Sequence, residues 1–195
     1  MGNKAKKSFT CSMNALLERS EDDAKTTFEK EKILNEQQRK VLDYLIKLSN
    51  RTLDDKMRFS LDLLFHTVND IERVGDLSEN IAELAEVAIQ NKTKISDSAK
   101  SELIDIYSKV LDAYELSLDA MKQNNSTLAN DVLKIEDEVD ALDKLYRAKH
   151  MNRLNSHSCS IDSGIMYLDL LTNLERISDH SASIAKRVIK INQTA

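Results

Sequence analysis

The chain of 195 residues has no proline, no tryptophan, only three glycines, and 5% aromatic residues. A strand-rich fold needs turns, and turn residues are what is scarce here. Cys11 and Cys159 stand far apart without a CxxC spacing. That leaves no disulfide framework or zinc knuckle and fits reduced thiols. No apolar run approaches the roughly 20 residues that span a bilayer, and no signal-peptide pattern opens the chain. Position six is Lys6, so the Met1-Gly2 start does not meet the N-myristoylation pattern. A basic face is missing too: the net charge is -5, and Lys4, Lys6 and Lys7 are too few to make one. Nucleic acid is therefore excluded as an expected partner.

What the chain does have is 41% hydrophobic and 31% charged residues, arranged at helical spacing. The fold class is all-α, with six helices expected over 2–20, 22–50, 55–91, 96–123, 126–154 and 160–192. Thr52 or Asp54 would cap the third and Ser96 to Ser98 the fourth, while Gln123 to Ser126 separates the fourth from the fifth. The stretch from Asn155 to Ser160, which includes His157, reads as the clearest loop. Lys4, Lys6 and Lys7 fall in an uncapped first turn, where the helix dipole disfavours positive charge. The expectation is a helix that begins upstream of Met1, in a longer protein.

Sliding the chain on itself by 103 residues lays Ile71 to Ala82 on Leu174 to Ala185 and matches Glu72, Arg73, Asp76, Ser78, Ile81 and Ala82 with Glu175, Arg176, Asp179, Ser181, Ile184 and Ala185. The chain thus reads as two copies of one three-helix unit, residues 1–93 and 94–195. A weaker match places Glu136 to Asp140 on Glu31 to Asn35.

At about 100° per residue, Glu72 and Asp76 lie roughly 40° apart on one helix face. Asn69, Glu79, Asn80 and Glu83 complete a polar stripe. Like charges at that spacing repel unless something positive lies between them, an arginine or a metal ion. A solvated charged face is the plain alternative, but it requires neither a repeated acid pair nor an arginine immediately after the first acid. If the second and third helices of each half are antiparallel neighbours, Glu31 approaches Glu72 and Asp76, and Glu136 and Asp140 approach Glu175 and Asp179. Such oxygen-donor sets suit hard cations.

No Glu has a His three residues later, so the ferritin-like di-iron pattern is missing. His66, His150 and His180 sit in helical stretches without HxxxH or HExxH, and each reads most simply as structural, although His66 could edge the first acidic face. No phosphate loop or nucleophile elbow is present. No catalytic role is expected.

The blocks Asn69 to Asp76, continuing through Asn80-Ile81-Ala82, and Leu170 to His180 resemble the paired signatures of PhoU-like proteins, as do Glu136 to Asp140 and the Met1-Gly2 start. Residues Cys159 to Leu171 look most like the cytoplasmic C-terminal domain of bacterial sodium/phosphate cotransporter proteins. The resemblance implies two tandem three-helix bundles related by a pseudo-twofold axis, with metal clusters held by Glu72, Asp76, Glu175, Asp179, Glu136, Asp140 and Glu31. Iron is the first candidate, with Mg, Mn, Ca or Zn as alternatives. Asn35 stands where an acid is expected, and Ser183 where the first repeat has Asn80, so either the first half would bind more weakly or only one half would be loaded.

The implied partner is a transmembrane phosphate-transport domain in the same full-length chain, with inorganic phosphate bound through the metal and a homodimer as a further arrangement. The implied location is cytoplasmic, tethered to the inner face of the plasma membrane. Two other readings compete. One is a free-standing adaptor between a phosphate ABC transporter and a sensor kinase. The other is a plain helical scaffold whose acids pair only with Arg73 and Arg176.

Overall fold

The computed structural model describes residues 1–156 and 159–193. Its six helices are α1 (Gly2–Glu18), α2 (Glu21–Ser49), α3 (Asp55–Gln90), α4 (Asp97–Gln123), α5 (Ser126–Asn155) and α6 (Ile161–Gln193). No strand occurs among the described residues, so the all-helical expectation holds, with boundaries displaced by two residues at most. His157 lies outside the described residues.

Side chains at the helix starts explain where the breaks fall. Ser20 accepts a hydrogen bond from the Asp23 amide, and Glu21, Asp22 and Asp23 place negative charge at the positive end of α2. Asp54 rather than Thr52 caps α3, accepting from Met57 N at 2.7 Å. Ser96 caps α4. Without glycine at these turns, Arg19, Lys92 and Asn124 themselves take the left-handed conformation, with φ of 55°, 52° and 48°. Asn125 then accepts from Thr127 N and Leu128 N to start α5. The start of α1 has no side-chain cap, but Lys6 finds Glu115 of α4 at 2.8 Å.

Helices α1, α2 and α3 pack on one another, and α4, α5 and α6 do the same. The halves meet through equivalent helices, α3 against α6 and α1 against α4, as an internal twofold requires. One continuous core runs through both, with Phe9, Leu34 and Ile81 on one side and Leu103, Ile106 and Leu174 on the other. Phe9 meets Tyr107 of α4 edge-on at 5.2 Å. Gly2 permits α1 to approach α4 closely, since a Cβ there would sit 2.6 Å from Leu118 Cδ2.

The joint between α3 and α6 is polar at one point. Asp70 is buried, receives a bond from Arg187, and lies 2.9 Å from His180 Nδ1. At the repeat positions equivalent to these three stand Asn173, Leu84 and Leu77. The twofold is thus broken where the halves are joined.

Candidate functional site

In the first half, the approach of α2 to α3 is set by Gly75, inside the acidic motif itself. A Cβ at Gly75 would lie 2.3 Å from Leu34 Cδ2, so any larger residue there must displace the Leu34 methyl. Glu31 precedes Leu34 by three residues on the same face of α2. The contact carries it inward until it is 7% exposed, beside Glu72 and Asp76. Burial raises the Glu72 carboxyl, and the charges of Asp76 and Glu31 raise it further, against the pull of Arg73. Glu31 is raised by burial and then by Asp76. Glu79 is raised by burial and then by Glu31, Glu83 and Asp76. Five carboxylates are therefore linked by mutual repulsion. Arg73 Nη1 donates to Asp76 at 3.0 Å, and its Nε lies 4.0 Å from Glu72. Asn35 donates its amide to Glu31.

The second half repeats the arrangement with α5 and α6. Glu136 is raised by burial and by Asp140, Asp179 and Asp137, with Lys186 opposing. Glu175 is raised by burial and by Asp179, Asp143 and Asp140, with Arg147 opposing. Arg147 donates to Asp143 at 2.7 Å and to the Thr172 hydroxyl at 3.0 Å. Lys144 Nζ stands 3.7 Å from Asp140. Arg176 forms no ion pair among the described residues, so the scaffold reading, with acids paired only to Arg73 and Arg176, does not describe this face.

All seven acids singled out in the sequence therefore lie on two faces, Glu31 with Glu72 and Asp76, and Glu136 and Asp140 with Glu175 and Asp179. Asp143 was missed. It aligns with Gln38, as Asp140 aligns with Asn35, and following the α5 face one more turn, from Glu136 through Asp140, would have found it. The histidines stand apart. His66 pairs loosely with Asp62 at 3.9 Å, His180 belongs to the Asp70 joint, and His150 stacks on Tyr167. Among the described residues no three Asp, Glu, His or Cys side chains converge on a single point as a ready metal cage. The acids share faces and repel one another, an arrangement that attracts cations and leaves the side chains free to close around one.

Fold and faces together define a class: a duplicated all-helical bundle that presents carboxylates from a pair of helices in each half. The family model described as "PhoU domain" matches residues 1–85 and 103–188, one segment in each half. The chain belongs to the PhoU family.

Among named relatives, the phosphate-specific transport system accessory protein PhoU homolog 1 of Thermotoga maritima is 28% identical over 169 residues, covering 78% of this chain and 72% of its own. The PhoU homolog of the same description from Clostridium acetobutylicum is 27% identical over 192 residues, covering 97% of this chain and 86% of its own. The crystal structure of PhoU from Pseudomonas aeruginosa superposes with a TM-score of 0.94 at 23% identity, over 100% of this chain and 93% of that one. This last likeness establishes the fold.

Proposed function

We propose that this chain is a regulatory accessory protein of phosphate transport, acting by binding rather than by chemistry, and that metal ions on its two carboxylate faces tune that binding. The observation that carries the reading is the PhoU-domain match to both halves, joined to relatives named as accessory proteins of phosphate-specific transport. The donor chemistry fits a cation: Glu31, Glu72, Glu136 and Glu175 are each raised by burial and then by neighbouring acids, and oxygen-only sets favour hard ions. Glu31, Glu72 and Asp76 would hold one group, and Glu136, Asp140, Glu175 and Asp179 the other. Iron is the ion the family resemblance implies. A bound cation supplies positive charge where the chain now holds mutual repulsion, and offers inorganic phosphate an open coordination position.

No helix among the described residues is long and apolar enough to cross a membrane. The relatives' names favour the adaptor reading over that of a cotransporter domain, and none of these relatives supports sodium symport. The proposed partner is therefore a separate phosphate transporter, with its sensor kinase as the second contact. Ligand control follows if metal, or phosphate held on metal, binds one partner-bound state more tightly than another.

Two measurements test this. Protein purified without chelators is assayed for bound metal, with Glu175→Ala/Asp179→Ala beside it. Phosphate uptake is then measured in cells that carry each form. Lost metal together with altered uptake supports the proposal, whereas unchanged metal and unchanged uptake in the double variant would sink it.

A further inference from the structure

At the end of the molecule away from the acidic motifs, a cavity of about 800 Å³ opens between the α3–α4 connection and the start of α6. Two helix N-termini face it: that of α4, capped by Ser96, and that of α6, where Ser160 Oγ accepts from Ser163 N at 3.3 Å. A side-chain cap satisfies only part of the free amides of a first turn, so both ends retain donors and positive dipole for an anion. Lys92 and Lys94 also line the cavity, and neither has an ion-pair partner among the described residues.

The second observation is His150. It forms part of the cavity wall, is 2% exposed, and its Nε2 has no hydrogen-bond partner among the described residues. That nitrogen is turned toward the first turn of α6, 3.0 Å from where a Cβ on Gly164 would stand. The ring is held by stacking on Tyr167. Tyr167 in turn donates to Glu102 at 2.6 Å, and Glu102 takes a two-pronged bond from Arg153. A buried polar atom without a partner costs about 1–3 kcal/mol, and its retention calls for a reason.

The internal repeat supplies a control. Through the offsets that align the acidic motifs, His150, Arg153, Gly164 and Tyr167 correspond to Leu45, Leu48, Leu61 and Leu64. In the first half these leucines belong to a small apolar cluster with Val68. The fold therefore closes this end with hydrocarbon, and only the second copy exchanges it for a histidine, an arginine, a tyrosine and a gap.

We propose that this cavity is a binding site for a phosphate group, carried either free or as the monoester of a small hydroxylated metabolite. The phosphate lies between the α4 and α6 N-termini, with Lys92 and Lys94 as counter-charges and His150 Nε2 as a hydrogen-bonding partner at the inner wall. Asp97 and Asp162 also line the cavity. They are badly placed for a bare dianion and well placed to accept from sugar hydroxyls, which favours the monoester. The volume falls within the range of small-molecule pockets and exceeds what one phosphate fills. This site is separate from the carboxylate faces and does not depend on their holding metal.

The test uses the full chain kept in chelator, so that failure of the metal reading has no bearing on the result. Inorganic phosphate, glucose 6-phosphate and adenosine monophosphate are titrated by calorimetry, and the His150 ring is followed by NMR. At least one of the three is expected to bind, with the His150 signals shifting on saturation. Lys92→Asn/Lys94→Gln keeps a residue that tolerates the left-handed conformation at position 92, and should weaken binding by about tenfold, as loss of charge-assisted contacts does. His150→Phe should retain the stacking and the fold while weakening binding by about fivefold, the scale of one lost hydrogen bond. Phosphate binding alone assigns the free ion as ligand, and preferential binding of an ester assigns the metabolite. No binding of any of the three up to about 5 mM, beyond the weak edge of specific affinity, overturns the proposal. So does binding that survives the lysine changes or leaves His150 unmoved.

Discussion

The two halves share the same acid pair on equivalent helices, yet they neutralise it differently. On α3 the stripe continues into Glu79 and Glu83, and at the equivalent positions of α6 stand Ala182 and Lys186. On the neighbouring helix the bias reverses, with Asn35 and Gln38 in the first half and Asp140 and Asp143 in the second. Each face thus carries five acids, disposed along different helices. The cations differ more. The first face has Arg73, which reaches both motif acids, and Lys32, whose charge opposes the rise of Glu31 and Glu79, while the second has Arg147, Lys144 and Lys186 around it. Duplication preserved the charge of the face and relocated its counter-charges, so the two faces are expected to differ in affinity for a cation rather than in the kind of ion.

The largest effect should come at the opposite end of the second half, where the comparison is between ions and hydrocarbon. Burial pushes the Glu102 carboxyl up, but the bonds from Arg153 and Tyr167 and the charges of Arg153 and Lys149 outweigh it and leave the group below its ordinary value. Glu102→Ala removes the buried carboxylate that Arg153, Lys149 and Tyr167 share and should cost about 3–5 kcal/mol in urea unfolding. Leu45→Ala, in the matching apolar cluster of the first half, should cost about 2–3 kcal/mol. Only the first loss should depend on pH. A carboxyl held below its unfolded value stabilises fully above the ordinary carboxylate range, and that stabilisation disappears as acid takes the pH down through the folded value. Equal pH profiles for the two variants would remove the distinction.

A second comparison sets Gly75 against Ser178, its repeat equivalent. Gly75→Val drives a branched side chain into Leu34 and should cost about 1–3 kcal/mol. Ser178 is 1% exposed with a hydroxyl that finds no partner. Ser178→Ala should therefore be neutral or gain up to about 1 kcal/mol. The two positions hold small residues for the same packing reason, and at Gly75 even a Cβ would displace the Leu34 methyl. In the metal-free protein the Val variant should also lower the coupling between Glu31 and Glu72, read as smaller displacements of their carboxyl titrations by NMR.

The helices and the duplication were legible in the sequence because they rest on local signals: apolar period, capping residues and a block of identities at one offset. The acidic faces were legible because acids four apart must share a face. Other features were hidden for a geometric reason. The α5 block aligns with α2 at an offset of 105 rather than 103, since the stretch from that block to the acidic motif is two residues shorter in the second half, so a single slide blurs Asp140 and Asp143 against Asn35 and Gln38. Asp70, His180 and Arg187 meet across more than 100 residues of chain, and no periodicity reports such a meeting. The His150 pocket becomes conspicuous only when the leucines of the other copy are set beside it.

The smallest predicted effect addresses the acidic faces directly. Glu72→Gln and Glu175→Gln remove a carboxyl whose folded value is raised by burial and by its neighbours. A raised carboxyl makes the folded state the better proton binder, so its penalty is absent in acid, grows as the pH climbs from the ordinary to the raised value, and is full above that. In chelator at neutral pH each substitution should therefore stabilise, by roughly 0.5 kcal/mol, and the gain should vanish in acid. Glu175→Gln should gain more than Glu72→Gln, because Arg73 lies 4.0 Å from Glu72 and relieves it, whereas Arg147 is bonded to Asp143 and Thr172 and relieves Glu175 least among its neighbours. Adding metal should reverse the sign for both, since a carboxylate that repels its neighbours in the free protein is a ligand in the loaded one. Thermal unfolding with and without added Fe(II) or Mn(II) reads that reversal, and stabilisation that persists unchanged with metal would mean that the faces hold no ion.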